Sequence, residues 1–176
     1  MGTRHIFFCA GEVAERCAQK KVKKMATITV GGSQTYQYIV DVLNNLFGCQ
    51  YQRYGRGSWR TLRGNPDTWV MFPHFKYEDE VNKAQLRTTG LPPDTDPWFN
   101  VMDRKQTWLE ELSKPQNYNW ALANRIHRRI VFANHLGEIG YKFVGVFEGR
   151  GAGRFRDSVG FVKVADKFDT RDYLRP

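Results

Sequence analysis

Arginines and aromatic residues alternate around a glycine turn between positions 51 and 63. The segment contains no acidic residue, and its basic and aromatic members are Tyr51, Arg53, Tyr54, Arg56, Trp59, Arg60 and Arg63. Guanidinium groups match the geometry of phosphates, and exposed aromatic rings stack on nucleic-acid bases. The pattern therefore predicts a hairpin that binds nucleic acid. The alternative is a solvated hairpin whose rings pack inward while its arginines point to water.

A second group of basic residues lies in the C-terminal third of the chain. Its members are Arg125, Arg128, Arg129, Arg150, Arg154 and Arg156. The last three belong to a glycine-rich connection, residues 148–156, whose backbone would be able to approach a phosphate closely. A dinucleotide-binding turn is excluded, because residues 157–164 have the pattern of a strand where that motif requires a helix. A phosphate-binding loop and a flexible hairpin loop remain as alternatives.

Histidine, cysteine and acidic residues show no established catalytic or metal-binding spacing. The residues concerned are His5, His74, His127 and His135, with Cys9, Cys17 and Cys49. We therefore predict no catalytic residue, no metal and no cofactor. A metal-dependent nuclease remains an alternative, in which Asp67 joins either residues 78–80 and Lys83 or Glu148. Carboxylates would then hold magnesium, and a lysine would orient the attacking water.

The middle of the chain is unusually rich in aromatic residues. They are Trp69, Phe72, Phe75, Tyr77, Trp98, Phe99, Trp108, Tyr118 and Trp120. Most are expected to pack in the core, which is the usual place for such side chains. A minority would form a cage that stacks on an unpaired base. His74, which stands between Pro73 and Phe75, is expected to line a pocket and not to act as a general base.

Length and charge restrict the class of protein and its partner. The chain has 176 residues, 27 Lys+Arg, 18 Asp+Glu and a formal net charge of +9. This length favours one domain, and the apolar content of 41% excludes intrinsic disorder. The positive charge indicates an acidic partner, with DNA ahead of RNA. No apolar run approaches the roughly 20 residues that span a bilayer, so we expect a cytoplasmic protein with reduced cysteines and no membrane partner.

Periodicity and turn residues predict an α+β order of elements. A helix is expected from Ser33 to about Phe47, because its apolar positions recur at helical spacing. Strands are expected at residues 50–54, 58–62, 68–72, 129–133, 141–148 and 159–165, a long loop at 76–100, and a second helix at 103–113. Residues 1–24 differ in character from the rest, so we hypothesise an N-terminal extension before a single domain at 25–176, with Met25 as the native start.

Four segments resemble the strands of a known group of modules. The segments are Asp67-Thr-Trp-Val-Met-Phe-Pro, Arg128-Arg-Ile-Val-Phe-Ala-Asn, Gly140-Tyr-Lys-Phe-Val-Gly-Val-Phe-Glu and Gly160-Phe-Val-Lys-Val-Ala-Asp. They are similar to small modules that accompany bacterial restriction and other modification-dependent systems. Those modules resemble the PUA-like superfamily, which includes the SRA and EVE domains that read modified bases. The resemblance implies a curved β-barrel with flanking helices and a pocket for a base.

These observations lead to one functional prediction and two alternatives. We expect a curved, mainly antiparallel sheet or partly open β-barrel that binds nucleic acid without catalysis, reading a modified or flipped base in a defence or restriction context. The residues expected to hold phosphates or lie near a base are Arg53, Arg56, Trp59, Arg60, Arg63, Trp69, His74, Arg128, Arg150, Arg154 and Arg156. A separate nuclease or other defence subunit is a further expected partner. The alternatives are the metal-dependent nuclease and an interaction domain for an acidic protein.

Overall fold

The computed structural model describes residues 27–60 and 67–173. Arg63 and the predicted extension at 1–24 lie outside the described residues. The strands are β1 Thr27–Thr29, β2 Thr35–Tyr36, β3 Ser58–Arg60, β4 Thr68–Met71, β5 His74–Tyr77, β6 Trp98–Met102, β7 Trp108–Ser113, β8 Arg128–His135, β9 Tyr141–Ala152, β10 Ser158–Ala165 and β11 Lys167–Asp169. The helices are α1 Ile39–Leu46, α2 Lys83–Thr88 and α3 Pro115–Ala123, with short 3₁₀ turns at Glu78–Glu80, Asn124–Ile126 and Thr170–Asp172. Within these ranges, no helix is both long and apolar enough to cross a membrane.

Six strands close into a barrel in the order β8, β9, β10, β7, β6, β5 and back to β8. β5 runs parallel to β6 and β8, and the other neighbouring pairs in the barrel are antiparallel. The prediction of a mainly antiparallel α+β barrel is therefore confirmed, and the barrel is closed. Outside the barrel, β2 pairs with β9. β4 pairs with β8, and β3 pairs with the other edge of β4. β1 and β11 form a separate two-stranded ribbon.

Strand β9 is buried on both faces, as its apolar pattern predicts. Val144 and Phe147 pack inside the barrel with Phe161 of β10. Phe143 points the other way and joins the cluster that also contains Leu43 of α1. Successive side chains of a strand alternate between faces, so one strand supports two cores at once. This position makes β9 the centre of the fold.

Helix α1 begins later than its sequence pattern predicts. Thr35 and Tyr36 pair with Lys142 and Tyr141 of β9 instead of forming the first helical turn. The Tyr36 ring is buried. Residues 35–36 therefore form a strand, although Ser33 is a residue type that favours the start of a helix. The helix therefore begins at Ile39, where the Asp41 carboxylate accepts a hydrogen bond of 2.9 Å from the Tyr38 backbone N–H.

The predicted helix at 103–113 is wrong, because residues 108–113 form strand β7 between β6 and β10. The Asp103 carboxylate accepts hydrogen bonds of 2.7 Å from the backbone N–H groups of Thr107 and Trp108, which closes a tight turn between β6 and β7. Two other predictions also differ from the structure. Residues 50–54 form no strand, and the predicted loop at 76–100 contains α2 and the start of β6.

Candidate nucleic-acid interface

A cavity of about 320 Å³ opens where β4 and β6 separate. Both β4 and β5 pair with β8, but β4 pairs with residues 128–131 and β5 with residues 134–135. The chain turns at Phe72 and Pro73 between them, and β5 pairs with β6 only from Asn100 onward. The space between β4 and the first residues of β6 is therefore not filled by a strand. We call this space the β4–β6 cavity.

Three tryptophans from separate elements line the β4–β6 cavity: Trp69 of β4, Trp98 of β6 and Trp120 of α3. The ring centroids of Trp98 and Trp120 are 5.6 Å apart, and those of Trp69 and Trp120 are 6.1 Å apart. Trp120 is 49% exposed although its ring is large and apolar. Aromatic walls around an open cavity provide faces on which a flat ring is able to stack.

Two buried ionisable side chains, Glu111 and Arg129, also line the cavity. Glu111 is 6% exposed and Arg129 is 2% exposed. Burial raises the pKa of Glu111 despite the opposing charge of Arg129. A carboxyl group held in its neutral form both donates and accepts hydrogen bonds. Within the described residues, no hydrogen bond offsets this effect of burial on Glu111.

The Arg129 guanidinium contacts two aromatic rings and forms no ion pair within the described residues. Its guanidinium lies 5.1 Å from the ring centre of Trp69 and 4.8 Å from that of Phe161. Burial lowers the pKa of Arg129, and the charge of Glu111 opposes this shift. Among the described residues, its buried Nε has no hydrogen-bond partner. Its other two guanidinium nitrogens contact the Met71 sulfur at 3.0 Å and donate to the Asn124 carbonyl at 3.3 Å, so the cation is fixed beside the cavity.

The other polar residues of the lining are Asn100, His74, Asp96 and Ser58. Asn100 lies opposite Glu111 in the β6–β7 ladder, so the two side chains stand side by side on one face. The Asn100 side-chain amide donates a 3.2 Å hydrogen bond to the His74 backbone carbonyl. Cavities that bind flat ligands combine such a few polar groups with apolar walls.

The arginine-rich segment reaches this cavity at Gly57 and Ser58. Arg60 lies 4.7 Å from the ring centre of Trp69. Arg53, Arg56 and Arg60 are exposed, and none forms an ion pair with an acid within residues 27–60 and 67–173. These charges are therefore available to an external anion.

A family model described as the SET and RING associated domain, SRA, matches residues 21–170. The chain belongs to the SRA family. This assignment confirms the predicted PUA-like relationship and the predicted nucleic-acid-binding module, whose partner is DNA. A search of curated proteins finds no match to this SRA domain.

One solved structure with a similar fold is "The 5-Hydroxymethylcytosine-Specific Restriction Enzyme AbaSI". The two share 22% sequence identity, with a TM-score of 0.58 over 81% of this SRA domain. The matched region covers 42% of the AbaSI chain, so this chain spans less than half of that enzyme. The likeness shows that the fold is shared.

Several arginines predicted to bind phosphate have internal partners in this SRA domain. Arg128 contacts Glu148 at 2.6 Å, and the Arg156 guanidinium donates to the Thr88 carbonyl at 3.0 Å. Arg154 forms ion pairs with Glu78 and with the buried Glu110. Arg150 lies exposed on β9. These four positions stay predictions as DNA contacts.

The aromatic members of the predicted site are divided between core and cavity. Trp59 is buried, with its ring centroid 5.2 Å from that of Phe47, so it supports the arginine segment from beneath. Trp69 and His74 both line the β4–β6 cavity. Sequence reasoning did not single out Glu111 or Asn100. Two acids inside an otherwise apolar strand pattern at Trp108–Ser113 are the signal that would have drawn attention to Glu111.

The carboxylates of the nuclease alternative lie in two places. Glu78, Asp79 and Glu80 contact basic side chains, which are Lys83, Arg104, His135 and Arg154. Asp67 and Glu148 line a common cavity of about 350 Å³. In the part of the chain that is described, no three His, Cys, Asp or Glu side chains group as metal ligands.

Proposed function

We propose that this SRA domain binds DNA with a modified cytosine turned out of the duplex into the β4–β6 cavity. The observation that carries the proposal is the combination of aromatic walls with the buried Glu111 carboxyl beside a row of arginines that have no acidic partner in the described residues. Proteins that read extruded bases use stacking and hydrogen bonds to the Watson–Crick edge. AbaSI, which shares the fold, is named for specificity toward 5-hydroxymethylcytosine, so that base is the first candidate.

The polar groups of the cavity fit the edge of cytosine. A protonated Glu111 would donate a hydrogen bond to the ring nitrogen N3 and accept one from the exocyclic amine. Asn100, beside it, offers both a donor and an acceptor for the remaining edge. The tryptophan rings would stack on the base, and each such contact contributes about 1–3 kcal/mol.

Arg53, Arg56 and Arg60 would hold the phosphates on either side of the extruded nucleotide. Their guanidinium groups suit phosphate oxygens, and Gly57 and Ser58 of the same segment line the cavity that would take the nucleotide. Contacts of this kind position the DNA without reading its sequence. Specificity would then come from the cavity and affinity from the arginine segment.

We further propose that the chain is the reading part of a restriction system and that cleavage belongs to another domain or subunit. The support is that an SRA domain is a binding module and that the aligned region makes up 42% of AbaSI. Incubating the purified chain with modified DNA and magnesium should leave the DNA intact. Cleavage that Asp67→Ala abolishes would contradict this and favour the nuclease alternative.

The test of base reading uses the substitution Trp120→Ala. Trp120 is half-exposed on α3, so its loss should leave the barrel intact while removing one stacking face. Duplexes that differ only in one cytosine, unmodified or 5-hydroxymethylated, are titrated by calorimetry. We expect wild type to prefer the modified duplex, and Trp120→Ala to lose about tenfold in affinity for it.

The exposed Ile139→Ala serves as the control, since Ile139 is 83% exposed and lies outside the cavity lining. It should bind both duplexes as wild type does. The proposal is contradicted if wild type binds the two duplexes equally, or if Trp120→Ala weakens both by the same factor.

A further inference from the structure

A second cavity lies beside the β4–β6 cavity, next to the start of helix α1. Its volume is about 520 Å³. Its lining comes from residues 37–40, residues 52–54 and the barrel side chains His74, Asn134 and Tyr141. We call it the α1 cavity. Reading a single extruded base leaves this cavity without a role.

The two cavities share a thin wall. His74 lines both of them, and its Nε2 lies 3.1 Å from the Tyr141 hydroxyl oxygen. Segment 52–58 is the other shared boundary, because residues 52–54 line the α1 cavity while Gly57 and Ser58 line the β4–β6 cavity. One side chain and one stretch of backbone therefore separate the two spaces.

The lining of the α1 cavity carries the groups that a nucleotide requires. Tyr38 is 59% exposed, and its hydroxyl accepts a 3.1 Å hydrogen bond from the Gln37 side-chain amide. The Tyr54 hydroxyl donates a 2.7 Å hydrogen bond to the Ser58 carbonyl, which fixes that ring at the shared wall. Aromatic faces suit a base, amide groups suit its edge, and arginine suits its phosphate.

The positive charge along the shared wall favours the binding of two consecutive nucleotides of the same DNA strand. Arg53 lines the α1 cavity, and Arg56 follows on the stretch that leads to the β4–β6 cavity. Neither has an acidic partner among the described residues. The phosphate that joins two consecutive nucleotides would have to cross this wall, whereas a nucleotide from the opposite strand has no phosphate that links it to the extruded one.

We propose that the α1 cavity binds the nucleotide that follows or precedes the extruded one in the same DNA strand. Its base lies against Tyr38, and the intervening phosphate lies beside Arg53 and Arg56. This inference rests on the proposed function, since the first nucleotide occupies the β4–β6 cavity. Recognition therefore extends over two consecutive nucleotides, with His74 between them.

The experiment combines Tyr38→Ala with DNA that lacks one base. Three duplexes carry a 5-hydroxymethylcytosine whose 5′ neighbour, 3′ neighbour or opposite-strand partner is an abasic nucleotide, which keeps the phosphate. Wild type should lose about tenfold in affinity with one same-strand abasic neighbour. Tyr38→Ala should lose about tenfold with intact DNA and nothing more with that abasic duplex.

Tyr38→Phe is the matched control, because it keeps the ring and should bind all duplexes nearly as wild type does. The helix start is preserved in each variant, since Asp41 caps it through the backbone of Tyr38. The inference is overturned if Tyr38→Ala weakens intact and abasic duplexes by the same factor, or if only the opposite-strand abasic site couples to Tyr38. Loss of discrimination between modified and unmodified cytosine in wild type would instead overturn the proposed function.

Discussion

At the scale of single residues, the buried carboxyl of Glu111 is the feature that most distinguishes this cavity. Ionising a carboxyl group away from water is costly, so its proton is retained to higher pH than in the unfolded chain. The neighbouring Arg129 is itself buried and is stabilised by the faces of Trp69 and Phe161. The pair therefore provides a donor, an acceptor and a cation within one cavity.

The raised pKa of Glu111 makes stability depend on pH in a defined direction. An unfolded glutamate loses its proton near pH 4.3, whereas folded Glu111 retains its proton above that pH. As pH rises from there through the pKa of folded Glu111, the stability of wild type should fall relative to that of Glu111→Gln. The change is about 1.4 kcal/mol per pH unit in this window.

Urea unfolding of both proteins at pH 4, 5, 6, 7 and 8 measures this difference. Glutamine keeps the shape of the side chain but does not titrate, so the variant isolates the one ionisation. A difference between the two proteins that stays constant across the pH range would contradict the assignment of a neutral Glu111.

At the scale of elements, Glu110 fixes the connection between β9 and β10. Its carboxylate accepts hydrogen bonds from Trp108 Nε1 at 3.0 Å, the Phe155 backbone N–H at 2.8 Å and the Ser158 hydroxyl at 2.7 Å. Arg154 Nε adds a contact at 2.9 Å. Burial acts to raise the pKa of Glu110, but these hydrogen bonds outweigh it and lower the pKa. The glycine-rich connection is thus anchored from within.

Removing the Glu110 carboxylate should strongly destabilise the folded protein. Glu110→Ala leaves buried donors without a partner, and we expect the free energy of unfolding to fall by about 3 kcal/mol. Glu138→Ala is the matched control, because the contact of Glu138 with Lys142 is exposed and should contribute less than about 1 kcal/mol. Urea unfolding at neutral pH compares the two. Equal losses for both variants would show that Glu110 does not anchor the connection.

The strands of the C-terminal half could be predicted from sequence, but strand β7 could not. Apolar alternation located β8, β9 and β10 because their side chains pack where the pattern indicates. In β7, Leu109 and Leu112 have helical spacing, and the two glutamates between them resemble the polar face of a helix. They are buried instead because Glu110 meets the β9–β10 connection and Glu111 meets the cavity.

For a related reason, the sequence predicts only part of the candidate site. The arginine segment, Trp69 and His74 stand out by residue type and local spacing. Glu111 and Asn100 are neighbours in the β6–β7 hairpin, but they come to line the same cavity as Trp69 through the pairing of β4 with β8, which lie far apart along the chain. Local patterns do not determine such non-local pairing.

At the scale of the whole molecule, the net charge of +9 is less informative than its distribution. Arg104, Arg128, Arg154 and Arg171 contact acidic side chains within the described residues. Arg53 and Arg56 do not; Arg53 lines the α1 cavity, and Arg56 directly precedes Gly57 of the β4–β6 cavity lining. The arginines of this segment are therefore available to a DNA backbone.

This distribution predicts how salt weakens DNA binding. Each phosphate contact adds about 0.9 to the steepness with which log affinity falls with log salt concentration. The double variant Arg53→Ala/Arg56→Ala should therefore show a slope that is shallower by about 1.8. Arg104→Ala/Arg171→Ala removes the same charge from ion-paired positions and should leave the slope unchanged. Mobility-shift titrations at four salt concentrations measure both, and equal changes would assign the effect to net charge alone.

The uneven placement of tryptophan has a practical consequence. Of the five tryptophans in the chain, Trp69, Trp98 and Trp120 line one cavity, while Trp59 and Trp108 lie outside its lining. Indole emission responds to polarity and to stacked rings, and three of the five indoles of this protein lie where a base would bind. The unlabelled wild-type molecule thus carries its own optical reporter of occupancy.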